Sequence, residues 1–177
     1  MHPDVSEVLF SRDDIQDKAQ SLASQITQDY QGKKPIIVGL LKGSIMFMAD
    51  LLKDLDMDLE TDFMDVSSYF GVESSGTVTI VKDMSVSVHD RHIIFVEDII
   101  DTGRTLERVV DLIKSRGAAS VRIATMLDKK EARIVPIEAD YVGYTIPSVF
   151  VIGYGLDYNE KYRNLPYVGI LKPSVYA

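Results

Sequence analysis

Glu97, Asp98 and Asp101 are followed by Thr102, Gly103, Arg104 and Thr105, so three carboxylates and two hydroxyls fall within nine residues. Carboxylates accept hydrogen bonds from sugar hydroxyls and ligate hard metal ions. A turn of small residues that opens a helix presents unpaired backbone N–H groups and the positive end of the helix dipole. A phosphate is the natural occupant of such a place. Gly103 lets the backbone come close to an anion, and Thr102 and Thr105 add hydroxyl donors. For D-T-G alone, an ordinary strand–turn–helix capped by Asp101 is the plainer reading. The whole string V-E-D-I-I-D-T-G-R-T-L, Val96 to Leu106, favours the chemical one.

Other segments carry weaker signals. Leu40-Leu41-Lys42-Gly43-Ser44 is a second strand-to-helix turn facing an anion, with a lysine as point charge. It lacks the G-x-x-x-x-G-K-[ST] pattern of a Walker A loop. Met126-Leu127-Asp128-Lys129-Lys130, with Arg133 close behind, reads by itself as a solvated charge cluster, in which Asp128 is placed to orient Lys129. Alternation around Ser148 to Ile152 makes Phe150 a core residue. His2, His89 and His92 form no ligand pattern and are expected to be solvated or locally hydrogen-bonded.

The elements that must position these groups follow from periodicity. His92 to Val96 is an almost continuous apolar run, as in a strand covered on both faces, which puts Glu97 and Asp98 at its carboxyl end. The run Leu106, Val109, Val110, Ile113 then reads as an amphipathic helix. Ser11 with Asp14 forms a capping box for a helix through Ile15, Ala19, Leu22, Ala23 and Ile26, ended by Gly32. Pro35 introduces a strand from Ile36 to Leu40, and Ser44 to Leu55 reads as a helix. From Asp56 to Phe63 acids alternate with apolar residues, the pattern of an edge strand with a solvated acidic face rather than a metal site. A Gly/Ser-rich loop, Phe70 to Gly76, leads to a strand from Thr77 to Val81. Further strands are expected at Ile93–Val96, Val121–Leu127, Tyr141–Val142, Val149–Ile152 and Val168–Leu171. Strand–helix–strand recurs, so the fold class is α/β with a mainly parallel central sheet.

The bulk properties set limits. The chain has 177 residues, enough for one domain spanning residues 1–177. Its net charge of −8 disfavours nonspecific binding to nucleic acid or anionic membranes. No apolar stretch is long enough to span a bilayer, and the N-terminus has no signal-peptide pattern. The absence of cysteine removes disulfides and thiol chemistry and is compatible with a cytoplasmic location.

The string from Val96 to Leu106 closely resembles the phosphoribosyl-pyrophosphate (PRPP) loop of type I phosphoribosyltransferases, and is nearest to their hypoxanthine-guanine branch. The resemblance runs over roughly residues 10 to 175 and includes G-Y-G-L-D-Y-N-E, Gly153 to Glu160. It implies a central sheet flanked by helices, a small hood and a flexible loop. It implies a reaction of a 6-oxopurine (hypoxanthine, with guanine) with PRPP to give the nucleoside monophosphate and pyrophosphate, with Mg2+ as cofactor. Glu97 and Asp98 are then the ribose-binding acids, directly or through magnesium. Asp101 is the general base on the purine, and Asp101, Thr102, Gly103, Arg104 and Thr105 cradle the 5′-phosphate.

Lys42, Gly43 and Arg163 grip the pyrophosphate, with a cis peptide often found at the Lys42 position. Ser68 and Tyr69, also assigned to pyrophosphate, begin a lid that closes over the reaction centre. Phe70 separates Tyr69 from Gly71, where bacterial members often have glycine next to the tyrosine. Lys129 reaches the purine's exocyclic oxygen. Its ammonium offers donors only, so it pairs with a carbonyl and not with the amino group of adenine. Phe150 stacks on the purine, the Val151 backbone meets the base edge, and Asp157 lies beside the base and holds magnesium with Glu97 and Asp98. The resemblance implies a homo-oligomer, dimer or tetramer, with no nucleic-acid or membrane partner. The alternatives are a xanthine- or guanine-preferring transferase and a PRPP-fold regulator that binds nucleic acid.

Overall fold

The computed structural model describes residues 1–68 and 78–176. The elements are β1 (Val5–Phe10), α1 (Arg12–Tyr30), β2 (Ile36–Leu41), α2 (Ile45–Asp54), β3 (Glu60–Ser68), β4 (Val78–Lys82), β5 (His92–Ile100), α3 (Arg104–Ser115), β6 (Ser120–Asp128), β7 (Tyr141–Thr145), β8 (Val151–Ile152), β9 (Val168–Leu171) and α4 (Pro173–Tyr176). A 3-10 turn, Lys130–Ala132, follows β6.

Six strands form the main sheet in the order β4-β3-β2-β5-β6-β7. All neighbours are parallel except β3 and β4. This sheet is buried on both faces because its central strands are apolar from Ile36 to Leu41 and from Ile93 to Val96. Side chains alternate across a strand. Ile37 and Ile94 therefore pack with Ile15, Leu22, Ile26, Phe47, Met48 and Leu51 of α1 and α2. Their neighbours Ile36, Val38, Ile93 and Phe95 pack with Leu106, Val109, Val110 and Ile113 of α3. A separate antiparallel sheet, β1-β9-β8, forms the hood over a third cluster built on Val5, Ile152 and Leu171.

The capping box of α1 is present: Ser11 N donates to Asp14 Oδ2 at 2.8 Å and Asp14 N to Ser11 Oγ at 3.2 Å. Among the described residues no helix is long and apolar enough to cross a membrane. Each histidine has a local partner, as with His92 Nδ1, 2.8 Å from Ser120 Oγ.

Several boundaries differ from the sequence reading. β5 continues through Glu97 and Asp98 to Ile100, because β6 pairs with it as far as Asp128. β8 is shorter than expected and β7 longer. β1 and α4 had no sequence expectation: β1 is exposed over three successive residues, and its partner lies at the far end of the chain. The acidic segment is the largest correction. It is strand only from Glu60, it lies inside the sheet between β2 and β4, and Asp62 is buried rather than solvated. Tyr69 and the Phe70–Gly76 loop lie outside the described residues, as does Thr77. Ser68 ends β3 opposite Val78.

Candidate active site

The last residues of β5 carry the acids and the turn that follows them. Glu97 pairs in register with Thr125 of β6, and Asp98 Oδ1 accepts from the N–H of Ile99 at 2.8 Å. Burial, and then the neighbouring Asp98 carboxylate, push Glu97 well above the usual carboxylate range. Burial also pushes Asp98 up, to about 6, against the hydrogen bonds from Ile99 and its own backbone N–H and the charge of Arg163. Both acids lie in a place where their charged forms are incompletely compensated by the protein.

Beyond Ile100 the chain turns sharply. Gly103 is the N-cap of α3 with φ +81°, a left-handed conformation that glycine adopts without strain. A Cβ there would also collide with Ile137 and Arg133. Gly103 has no side chain to cap α3, and a helix start turns backbone N–H groups toward whatever lies before it. The cavity at this turn has a volume of about 150 Å³ and is lined by Glu97, Asp101, Thr102, Gly103, Thr105 and the adjacent apolar residues.

The segment after β6 lies across this turn. Lys129 N donates to Ile100 O at 3.0 Å, and Ile134 N to Thr102 O at 3.2 Å. Lys129 is largely buried, with Nζ 3.8 Å from Asp101 Oδ2. It is not a member of a solvated cluster, and Asp128 does not orient it. The fully buried Asp128 pairs instead with Arg133 Nη2, and its Oδ2 has no hydrogen-bond partner among the described residues. Arg133 also donates to the carbonyls of Asp101, at 3.0 Å, and Ile137. One guanidinium thus ties the end of β6 to the PRPP-loop backbone, a part that sequence reading missed. Its only signal was an arginine four residues from Lys129, which is indistinguishable from a surface charge.

A second group surrounds the start of α2. The Leu41–Lys42 peptide is cis. A Cβ on Gly43 would run into the Asp98 carboxylate, and one on Gly155 (φ +98°) into the Gly43 carbonyl. These close approaches bring Lys42, Asp98 and the loop after β8 together. In that loop Arg163 pairs with Asp157 at 2.9 Å and donates to Gly155 O at 2.8 Å. Asp157 Oδ2 accepts from Glu160 N at 2.8 Å. Glu160 reaches both Lys42, at 3.1 Å, and Arg163, at 3.2 Å. Among the described residues no three acids or histidines are grouped so as to hold a metal ion without other ligands.

Phe150 precedes β8, where the buried Val151 pairs with Ile170. Phe150 is not a core residue: it is 37% exposed. Tyr176 stacks on it at 5.0 Å between ring centroids and Tyr158 meets it edge-on at 5.6 Å. An exposed but rigidly backed ring suits a stacking platform better than a core position does.

Comparison with known proteins agrees with this arrangement. The phosphoribosyl transferase domain family matches residues 11–159. A hypoxanthine-guanine phosphoribosyltransferase of Streptococcus pneumoniae is 57% identical over 98% of this chain and 97% of its own length. The bifunctional TilS/HprT protein of Listeria innocua is 56% identical over all of this chain, which spans 28% of that longer protein. The crystal structure of a hypoxanthine phosphoribosyltransferase from Staphylococcus aureus superposes with a TM-score of 0.97 at 53% identity, covering 100% of this chain and 97% of the other. The chain belongs to the phosphoribosyltransferase family, in its hypoxanthine-guanine branch.

Proposed function

We propose that the chain transfers the phosphoribosyl group of PRPP to a 6-oxopurine, hypoxanthine or guanine, releasing pyrophosphate. The observation that carries this reading is the meeting of a glycine-opened helix start, two incompletely compensated acids and a largely buried lysine where β5 ends. The backbone N–H groups and hydroxyls of Thr102 to Thr105, with Arg104, hold the 5′-phosphate. Glu97 and Asp98 accept hydrogen bonds from the ribose hydroxyls, and their charge favours a ribose ring that becomes positive as pyrophosphate leaves. Lys42, Gly43 and Arg163 take the pyrophosphate, together with Ser68 and Tyr69 of the lid. Lys129 donates to the exocyclic oxygen of the base, Phe150 stacks on it, and the Val151 backbone and Asp157 border it. Asp101, exposed beside Lys129, takes the purine N–H proton.

The donor set also fits Mg2+. Magnesium binds through one or two carboxylates plus substrate phosphate oxygens rather than in a protein cage. This agrees with the hard oxygens of Glu97, Asp98 and Asp157 and with the lack of a closed cluster of three among the described residues. When bound, the ion neutralises charge on the departing pyrophosphate. Association into dimers or tetramers belongs to the same reading.

The test is a purine panel with PRPP and magnesium, following nucleotide formation. Hypoxanthine is expected to give inosine monophosphate, with adenine turned over far more slowly. Adenine used as well as hypoxanthine would remove Lys129 from the exocyclic oxygen. The ranking of guanine and xanthine separates the neighbouring specificities.

A further inference from the structure

Tyr158 and Lys161 close a two-residue hairpin, each N–H donating to the other's carbonyl, at 3.2 and 3.1 Å. The two central residues, Asn159 and Glu160, have φ of +51° and +60°. This is the type I′ geometry, in which asparagine suits the first place and glycine the second. A glutamate held in the left-handed region is strained, and such strain persists where the surrounding structure fixes it. Here the side chain is held by two cations, Lys42 from a distant part of the chain and Arg163 three residues further on. Oε2 lies 3.1 Å from Lys42 Nζ at the entry to α2, and Oε1 lies 3.2 Å from Arg163 Nη2. These are the two cations given to pyrophosphate in the reading above, on which this inference rests. Glu160 is 66% exposed, so it can swing into solvent. Arg163 also pairs with Asp157 and donates to Gly155 O, contacts that do not involve the Glu160 carboxylate.

We propose that Glu160 is an internal competitor for pyrophosphate. Its carboxylate bridges Lys42 and Arg163 and is displaced from both when the pyrophosphate arm binds. Its return helps to expel the product. The residue therefore lowers affinity for PRPP and pyrophosphate while leaving purine recognition untouched. This is the opposite of what a residue that merely holds Lys42 and Arg163 in position would do.

The experiment is binding of inorganic pyrophosphate with magnesium to the full chain by calorimetry at low ionic strength, in Glu160→Gln and Glu160→Gly. Gln keeps the side chain's shape without its charge. Gly removes the left-handed strain, so folding is not at risk. Both are expected to bind pyrophosphate roughly two- to five-fold more tightly, the range an exposed ion pair supplies. KM for PRPP should fall by a similar factor and KM for hypoxanthine should not move. The gain should shrink as salt is added. Unchanged or weaker pyrophosphate binding in both variants overturns the proposal. Lys42→Ala is measured beside them. If it leaves pyrophosphate affinity intact, the assignment of Lys42 fails and the inference falls with it. If it weakens binding while the Glu160 variants do not tighten it, the inference alone is wrong.

Discussion

Asp62 and Asp98 are both aspartates in strands of the main sheet, and the fold treats them in opposite ways. Asp62 Oδ1 accepts from Phe63 N at 2.8 Å, and its Oδ2 from Ser85 N at 2.6 Å and Val86 N at 3.2 Å, with Lys82 Nζ 3.5 Å away. Burial alone would raise its pKa, but the three backbone N–H groups and Lys82 outweigh it, and Asp62 ends below the usual range. Asp98 is half-buried, yet its hydrogen bonds do not offset the loss of solvent, and it ends at about 6. Its neighbour Glu97 is raised further, by burial and by Asp98 itself. One carboxylate is a closed structural joint between β3 and the segment after β4. The other two remain under-compensated where a cationic or hydroxyl-bearing ligand would complete them. Perturbation of this second kind, in a cleft, marks function better than an acidic run does.

The largest expected effect lies on the open side of this contrast. Asp101→Asn keeps the side chain's shape but cannot take the purine proton. Single-turnover chemistry should fall by about a hundred- to ten-thousand-fold, with nucleotide affinity changed little. An unchanged chemical step would take Asp101 out of the base role. On the closed side, Asp62→Asn should leave KM for both substrates alone and lower stability by about 1–3 kcal/mol at neutral pH. The sign with pH follows from a folded pKa below the unfolded one. The contribution of Asp62 is present above about pH 4 and is lost as pH falls through the folded value. Denaturant melts of the two proteins should therefore converge in acid. A mutant that loses activity and keeps its stability would show that Asp62 had been assigned to the wrong class.

This contrast also marks where sequence reading stopped. The strands β2, β5 and β6 and the helices α1 and α3 were legible because apolar periodicity is a local signal, and so was the turn from Asp101 to Thr105. Asp62 was not legible. Its alternation with Phe63 describes a solvated face only while β3 is an edge, and what covers it, the end of β4 and the segment after it, comes from beyond the loop. Arg133 and Asp128 failed in the same way, since a buried pair and two surface charges are spelled alike. Phe150 failed in the other direction. Alternation placed it in the core, and the hood exposes one part of the ring while Tyr176, six residues beyond β8's partner β9 at Ile170, backs another. What was missed in each case is a contact set by topology rather than by neighbours in the chain.

The smallest effect sharpens the comparison most, because it predicts a gain. Asp98 has a folded value of about 6 against about 3.9 unfolded, so the fold favours its protonated form. Its contribution to stability is full below about pH 4 and is lost as pH rises through about 6. Above that, the substrate-free protein carries a carboxylate it holds poorly, and Asp98→Asn should be the more stable chain. About two pKa units set an upper bound of about 3 kcal/mol, and with solvent relaxation around a partly buried group the gain should be on the order of 1 kcal/mol. The comparison is a pair of thermal melts at pH 7.5 and at pH 4. The mutant should melt higher at the first and level with wild type at the second, the reverse of the Asp62 pair, in which the wild type leads at neutral pH. Adding PRPP and magnesium at pH 7.5 should invert the order, because only wild type gains the full stabilisation of a ligand that completes the acids. An Asp98→Asn protein that is less stable than wild type at pH 7.5 without substrate would mean that the fold already satisfies this carboxylate, and the distinction between the two aspartates would collapse.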